Sequence, residues 1–401
     1  MNARQKIDFS SKKISQMAFF IAIACVLQIS ESLIPHPIPG LRLGLANTIT
    51  IIVLFNFGFK YALELSILRT IVSSFFLGTF LSPSFLLSFI AAVLSTLIMG
   101  ILYHLSLKRW HQKLGIIGIS IIGALFHNII QLFAAYFLLV KHPGIFVFFP
   151  WLCLGSLVTG WITGVVAANI CRNFKDLDFR EFSELEFSNT SSSNETKLLQ
   201  KKAFLMNLSP GLKIAAMLLI SCLILVSSNY RLNLGICLLL IIVSLFSRIS
   251  LAQTLIMIRR LLPLLLPGVF LHLFFNSGTS KLFSFSIFTF TREGLHDGLV
   301  FSLRMLTIII ASSILLKTTS HDEMNRGLGN LLWPLKFLGI SQKRTAATIA
   351  LSLQMIPLLG ERFKSIFKTI SLKNKKSIKG IVSLLTLSIT TMFIKPKKEN
   401  N

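Results

Sequence analysis

The sequence predicts an all-α fold made of polytopic transmembrane helical bundles, and three observations carry the prediction. Hydrophobic residues make up 53% of the 401 and charged residues only 14%, whereas soluble domains carry about 25% charged residues. The apolar residues gather into about ten runs, each approaching the roughly 20 residues that a membrane-spanning helix needs. Basic residues concentrate in alternate connections between those runs, the pattern by which helical membrane proteins orient.

Six runs fill the first half, at about 14–34, 45–62, 63–80, 84–104, 115–140 and 150–171. Arg4, Lys6, Lys12 and Lys13 precede the first, Lys60 lies between the second and third, and Lys108, Arg109 and Lys113 follow the fourth. Arg172 and Lys175 follow the sixth, and the intervening loops hold only Arg42 and Lys141. This alternation puts both ends of the half, including the N-terminus, in the cytoplasm. The run from Met17 leads into Pro-Gly residues and not into a small-residue cleavage site, so it reads as a retained first helix.

Residues 172–203 form a linker: "KDLDFREFSELEFSNTSSSNETKLLQKK" is rich in charge and serine and lacks an apolar period. The second half, 204–401, opens with runs at 212–228 and 232–247 around the short connection "SNYR", followed by runs at 261–276 and about 298–316. Four to five helices are expected there. Over 317–379, twelve Lys/Arg stand against Asp322, Glu323 and Glu361, and Leu328, Leu331, Leu332, Leu335 and Leu338 recur at helical spacing. These are basic amphipathic helices at the cytoplasmic face. A last run, 381–394, is short for a span and ends in "KPKKEN".

The formal charge of +25 fits the positive-inside bias of such a protein, so nucleic acid is not an expected partner. Cys25, Cys153, Cys171, Cys222 and Cys237 form no CxxC pair and imply neither metal nor disulfide. No GxxxxGK[ST] occurs, so ATP hydrolysis would have to come from another subunit. No DDxxD-like cluster offers magnesium a diphosphate site either.

Polar residues inside apolar runs are the informative exceptions, since unsatisfied groups in hydrocarbon are costly. His127 and Gln131 share a helix face with Asn128 beside them, as a bundle-holding cluster or as the wall of a ligand cavity. Arg69 and Glu64 pose the same choice, as an ion pair or as a site. Arg304 serves helix packing or snorkels to an interface. Ala18 and Ala22 form a small-xxx-small pair of the kind that lets helices approach closely in lipid. In "PHPIPGLRLGLANT", Pro35, Pro37 and Pro39 forbid ordinary helix. The next helix starts near Asn47, so its free N–H groups, its positive dipole end and Arg42 favour an anion, unless the segment is only a rigid turn.

Together with "LSILRTIVSSFFLGTFLSPSFLLSFIAAVLSTLIMG" and "GALFHNIIQLFAAY", that loop resembles the Gx transporter family, often labelled heptaprenyl diphosphate synthase component I. The family is similar to the substrate-binding S components of energy-coupling factor (ECF) transporters, and the match covers residues 14–171. The second half resembles the T component of the same transporters through "LLWPLKFLGISQKRTAATIALSLQMIPLLGERFKSI", with Pro334, Leu335, Pro357 and Glu361 at the family's positions. The family's Ala-Arg-Gly signature is not kept. Counting from Pro357, its place reads Leu372-Lys373-Asn374, and a lysine offers no planar fork.

The resemblance implies a fused S–T transporter of 1–171, 172–203 and 204–401, with no catalytic residue and no covalently bound cofactor. Arg42, Asn47, Arg69, His127, Asn128 and Gln131 would bind a small anionic substrate, and Ala18 and Ala22 would pack the first half on the second. Arg344, Arg362 and Lys373 in the basic coupling helices would meet ECF-type ATPase subunits, with membrane lipid as the other partner. FAD or a related flavin is the first candidate substrate and a prenyl or quinone precursor the second. A membrane component of polyprenyl diphosphate synthesis and a scaffold without transport are the competing readings.

Overall fold

The structure, a computed structural model, describes residues 3–32, 43–108, 114–172, 209–227, 229–246, 251–275, 280–285, 288–319, 323–324, 327, 342–371 and 378–392. Six helices form the first half: α1 (Ala3–Ser32), α2 (Leu45–Phe57), α3 (Phe59–Leu77), α4 (Pro83–Lys108), α5 (Ile116–Ala134) and α6 (Phe149–Arg172). Helix α5 runs on into a π-helical turn, Ala135–Val140, and a 3-10 turn, Pro143–Phe148, leads into α6. The second half holds α7 (Pro210–Val226), α8 (Tyr230–Phe246), α9 (Leu251–Phe275), α10 (Arg292–Thr318), α11 (Gln342–Ser371) and α12 (Ile378–Met392). Within the described residues, Lys13–Ser32, Pro83–Ser106, Ile116–Val140, Pro143–Arg172 and Arg292–Thr318 are long and apolar enough to cross a membrane. The chain is an all-α, multi-pass membrane protein.

The apolar runs become helices because each carries strong helix formers between breakers. Gly58 joins α2 to α3 at φ 91°, and Gly78 ends α3 in the left-handed region at φ 65°, conformations that suit a residue without Cβ. Helices α5 and α6 approach most closely at two glycines one turn apart. A Cβ on Gly160 would lie 2.7 Å from the Ile121 Cα, and one on Gly164 would lie 2.9 Å from the Ile117 Cα. The bare backbones let the Ser120 hydroxyl donate to the Gly160 carbonyl at 2.8 Å, a small-xxx-small contact of the kind that membrane helices use.

Strand pairing is the departure from the expected all-helical second half. Lys281–Phe285 and Phe288–Thr291 form an antiparallel hairpin, β1 and β2, between α9 and α10. The alternation of Phe283, Phe285, Phe288 and Phe290 with Ser284, Thr289 and Thr291 is a period-2 signal. The Thr291 hydroxyl then caps α10 by accepting the Gly294 N–H at 3.0 Å.

The halves meet along α11 and around the α5–α6 connection. Helix α1 packs lengthwise on α11 as well as on α2 and α3, and α12 packs on α11 and α6. One buried apolar cluster runs from Ala18, Ala22 and Ile51 in the first half to Ile349, Ile356, Leu359 and Ile389 in the second. Leu238 and Leu239 of α8 and Trp151 and Leu157 of α6 lie exposed, an apolar outer surface suited to lipid.

Candidate functional site

A cavity with polar and apolar walls opens in the first half, lined by all six of its helices, with Ile51, Ala92 and Met99 among its apolar residues. Gln28 and Glu31 come from α1, Asn47 from α2, Arg69 and Thr70 from α3, Ser88 from α4, His127 and Asn128 from α5, and Thr159 and Thr163 from α6. The empty space it offers, open mouth included, is about 670 Å3.

Arg69 organises one wall. Its side chain is buried, and it donates to the Asn47 Oδ1 at 2.5 Å and the Gln28 Oε1 at 3.1 Å. The guanidinium therefore ties α3 to α1 and α2. On the opposite side, the Asn128 amide donates to the Ser156 hydroxyl at 2.8 Å, and Ser156 in turn donates to the Leu152 carbonyl. The Ser95 hydroxyl lies 3.4 Å from the His127 Nδ1. Ser120 and Thr163 share a further hydrogen bond at 3.0 Å. The polar part of the wall is thus a mesh of hydroxyls and amides with the Arg69 guanidinium on one side.

Several expectations are corrected here. Two of the N–H groups at the start of α2 are already held by Glu31: its Oε1 accepts from the Gly44 N–H at 2.8 Å and its Oε2 from the Leu45 N–H at 3.1 Å. An internal carboxylate on the positive helix end is the cheapest way to satisfy those donors. Glu31 escaped the reading of the sequence, although a lone acid at the end of an apolar run is a signal in itself. Arg69 does not pair with Glu64 but bonds neutral amides. Gln131, half-buried one turn beyond His127 on α5, does not line the cavity. Arg42 lies outside the described residues.

Glu64 points away from the cavity, to the junction with the second half. It is fully buried, and its Oε2 lies 3.7 Å from the Arg344 Nη2 of α11. The same guanidinium sits over the Tyr61 ring, 5.6 Å from its centroid, a cation–π distance. Arg344, expected to face an ATPase, is therefore turned toward α3. Arg362 is half-buried farther along α11, and Lys373 lies outside the described residues. Ala18 and Ala22 are both fully buried in the apolar cluster that α1 shares with α11.

A second junction gathers around the π-helical end of α5. Lys141, left-handed at φ 53°, donates to the Leu225 carbonyl of α7 at 3.1 Å. Arg304 of α10 donates to the Ile224 and Ser227 carbonyls at 3.2 and 3.0 Å and reaches the Leu139 carbonyl at 3.4 Å. The helix-packing role expected for Arg304 takes this form: one buried guanidinium caps the ends of α7 and of the π turn.

Fold and cavity together define a helical membrane protein of two unlike bundles, the first of which encloses a cavity with a partly polar lining. Its residues 20–170 match the family described as heptaprenyl diphosphate synthase component I, and residues 201–396 match the family described as cobalt transport protein. The second region is similar to energy-coupling factor transporter transmembrane protein EcfT. It is 32% identical to that of Brevibacillus brevis over 170 residues, 42% of this chain and 63% of that protein. It is 25% identical to that of Macrococcus caseolyticus over 201 residues, 48% of this chain and 76% of that protein. For the protein of Bacillus subtilis the identity is 25% over 194 residues, 46% of this chain and 73% of that protein. The chain thus joins an S-component-like half and an EcfT-like half in one polypeptide.

Proposed function

We propose that this chain is a membrane component of an ECF-type transporter. The first half holds a small molecule in the cavity around Arg69, and the second half is the scaffold through which separate ATPase subunits drive it. The observation that carries the proposal is the sharing of helices: α1 and α3 supply Gln28, Glu31 and Arg69 to the cavity and also pack against α11. The similarity of residues 201–396 to EcfT proteins supports the scaffold role. Arg362 and Lys373 are the proposed ATPase contacts, and the N-terminus is proposed to lie in the cytoplasm by the distribution of basic residues.

For the transported substrate we propose a flavin, FAD first. Hydroxyls, amides and a guanidinium beside the apolar Ile51, Ala92 and Met99 suit a flat ring system with polar edges, and a prenyl precursor is the second candidate. Arg42, Asn47, Arg69, His127 and Asn128 are its proposed contacts, and Gln131 acts from outside the cavity.

Mass spectrometry of small molecules retained by the full-length protein in mild detergent tests the substrate, together with co-purification of ATPases at native expression. Retention of a flavin, lost in Arg69→Ala, is the expected result. A retained isoprenoid overturns the flavin assignment, and the absence of any co-purifying ATPase overturns the coupled mechanism.

A further inference from the structure

The junction around the π-helical end of α5 contains more than the two cations that cap it. His142, at the start of the 3-10 turn, and His272, near the end of α9, meet edge to face with ring centroids 5.4 Å apart. Each bonds the opposite half of the molecule. His142 Nε2 lies 3.1 Å from the Phe275 carbonyl, and His272 Nε2 lies 2.6 Å from the Val140 carbonyl. A carbonyl can only accept, so both rings carry a proton on Nε2.

Their Nδ1 atoms differ. The His142 Nδ1 accepts the Gly144 N–H at 3.0 Å, which requires it to be unprotonated, so the ring is neutral. The His272 Nδ1 is buried without a hydrogen-bond partner, in a side chain only 5% exposed. Charges already crowd the place. His272 is faced by His142 from the 3-10 turn and by Arg304 and Asp297 from α10, and Lys141 adjoins His142. Asp297 is the sole acid among these groups, and it also lies 3.3 Å from His296.

We propose that this junction is an acid-released clamp between the two halves, closed while His142 and His272 are neutral and loosened in part by each ring that gains a proton. A proton on the His142 Nδ1 removes the acceptor of Gly144 and turns two N–H groups toward each other. A proton on the His272 Nδ1 creates a buried donor without an acceptor and adds a charge beside Arg304. Both events act on the bonds that cross between the halves. Arg304 keeps its charge wherever histidine titrates, so it supplies repulsion without titrating itself. The substitution that would mimic the open state is Gly144→Ala. Its added Cβ would lie 2.9 Å from the His142 Nδ1 and 2.8 Å from the Leu271 Cδ2, against both sides of the contact.

The test is a distance measurement between the halves in the full-length, cysteine-free protein in lipid nanodiscs. Spin labels go at Trp151 and Leu239, which are 59% and 58% exposed, and double electron–electron resonance is recorded at pH 8 and pH 5.5. The expected result is one narrow distribution at pH 8 and a broadened or longer one at pH 5.5. His272→Gln keeps a donor for the Val140 carbonyl, and His142→Asn keeps an acceptor for the Gly144 N–H; neither side chain titrates. The double variant is expected to show the narrow distribution at both values, and each single variant a reduced acid response. Superimposable wild-type distributions at the two pH values overturn the proposal. So does an acid broadening that persists undiminished in either single variant, which keeps the test decisive if the double variant does not fold.

Discussion

Removing Arg344 is expected to destabilise the protein more than neutralising Glu64, and the asymmetry follows from where each charge sits. The Arg344 side chain is 23% exposed and also rests on Tyr61, whereas the Glu64 side chain is 1% exposed. Neither Glu64 oxygen accepts a hydrogen bond among the described residues. At 3.7 Å the direct attraction is about 4–5 kcal/mol for an effective dielectric constant of ~20. Part of it is offset by the desolvation of the two ions, so the net coupling is smaller. Arg344→Ala strands a buried carboxylate and should cost about 3 kcal/mol, at the low end for breaking a buried pair. Glu64→Gln keeps a carbonyl oxygen opposite the guanidinium, which still rests on Tyr61, and should cost about 1 kcal/mol. The double variant should then lose no more than Arg344→Ala alone, giving a coupling energy of about 1–2 kcal/mol. Chemical unfolding in mixed micelles, followed by tryptophan fluorescence, measures all four states of the cycle. Costs that add to within about 0.5 kcal/mol would show that the two charges do not interact and refute the pairing.

Three further outcomes follow from the cavity and the helix contacts. Glu31→Ala should cost about 1 kcal/mol, as the loss of a helix cap does, and reduce ligand retention by displacing Asn47; calorimetry and retained-ligand mass spectrometry separate the two effects. Arg69→Lys should weaken retention at least severalfold although charge is conserved, because a lysine cannot bridge Gln28 and Asn47 with a planar fork; full retention would remove Arg69 from the site. Gly160→Ala should lower stability by about 1–3 kcal/mol through overpacking against the Ile121 backbone, read as a lower unfolding midpoint, whereas Gly235→Ala, with open space around it, should not.

Most of the helical framework could be read in advance because each span needs a long apolar run and each run ends at Gly, Pro or a cluster of bases. Helices α7, α8 and α10 begin within a few residues of the apolar runs that announce them. The hairpin at 281–291 was missed although its alternation is plain, since a short strand pair is a small signal between long helices. The site was legible in its residue types but not in its pairings. Arg69 and Glu64 lie five positions apart on one helix, about 140° around its axis, and their side chains serve different neighbours on different helices. Glu31 lies 13 positions before the amide it caps, and no local period links them. Gly160 and Gly164 mark a close helix contact by spacing alone, whereas Arg304 could be assigned to packing without showing which carbonyls it would cap. Long-range partners of polar side chains depend on which helices are adjacent, and helical periodicity carries no information on that.

The arrangement of α3 explains how a ligand in the first half can be felt by the second. Arg69 and Glu64 lie five residues apart, about 7.5 Å along a helix axis at 1.5 Å per residue. One end of this short rigid segment grips Gln28 and Asn47 in the cavity, and the other faces Arg344 on α11. Helix α1 repeats the pattern, with Gln28 and Glu31 in the cavity and Ala18 and Ala22 in the apolar cluster shared with α11. Under the proposed function, a ligand that draws α1 and α3 together through Arg69 would shift both helices where they meet α11, and packed interfaces respond to such shifts by repacking rather than by gradual strain. Coupling of this kind is reciprocal: whatever repositions α11 changes the spacing of Arg69, Gln28 and Asn47, and with it the affinity of the cavity for its ligand.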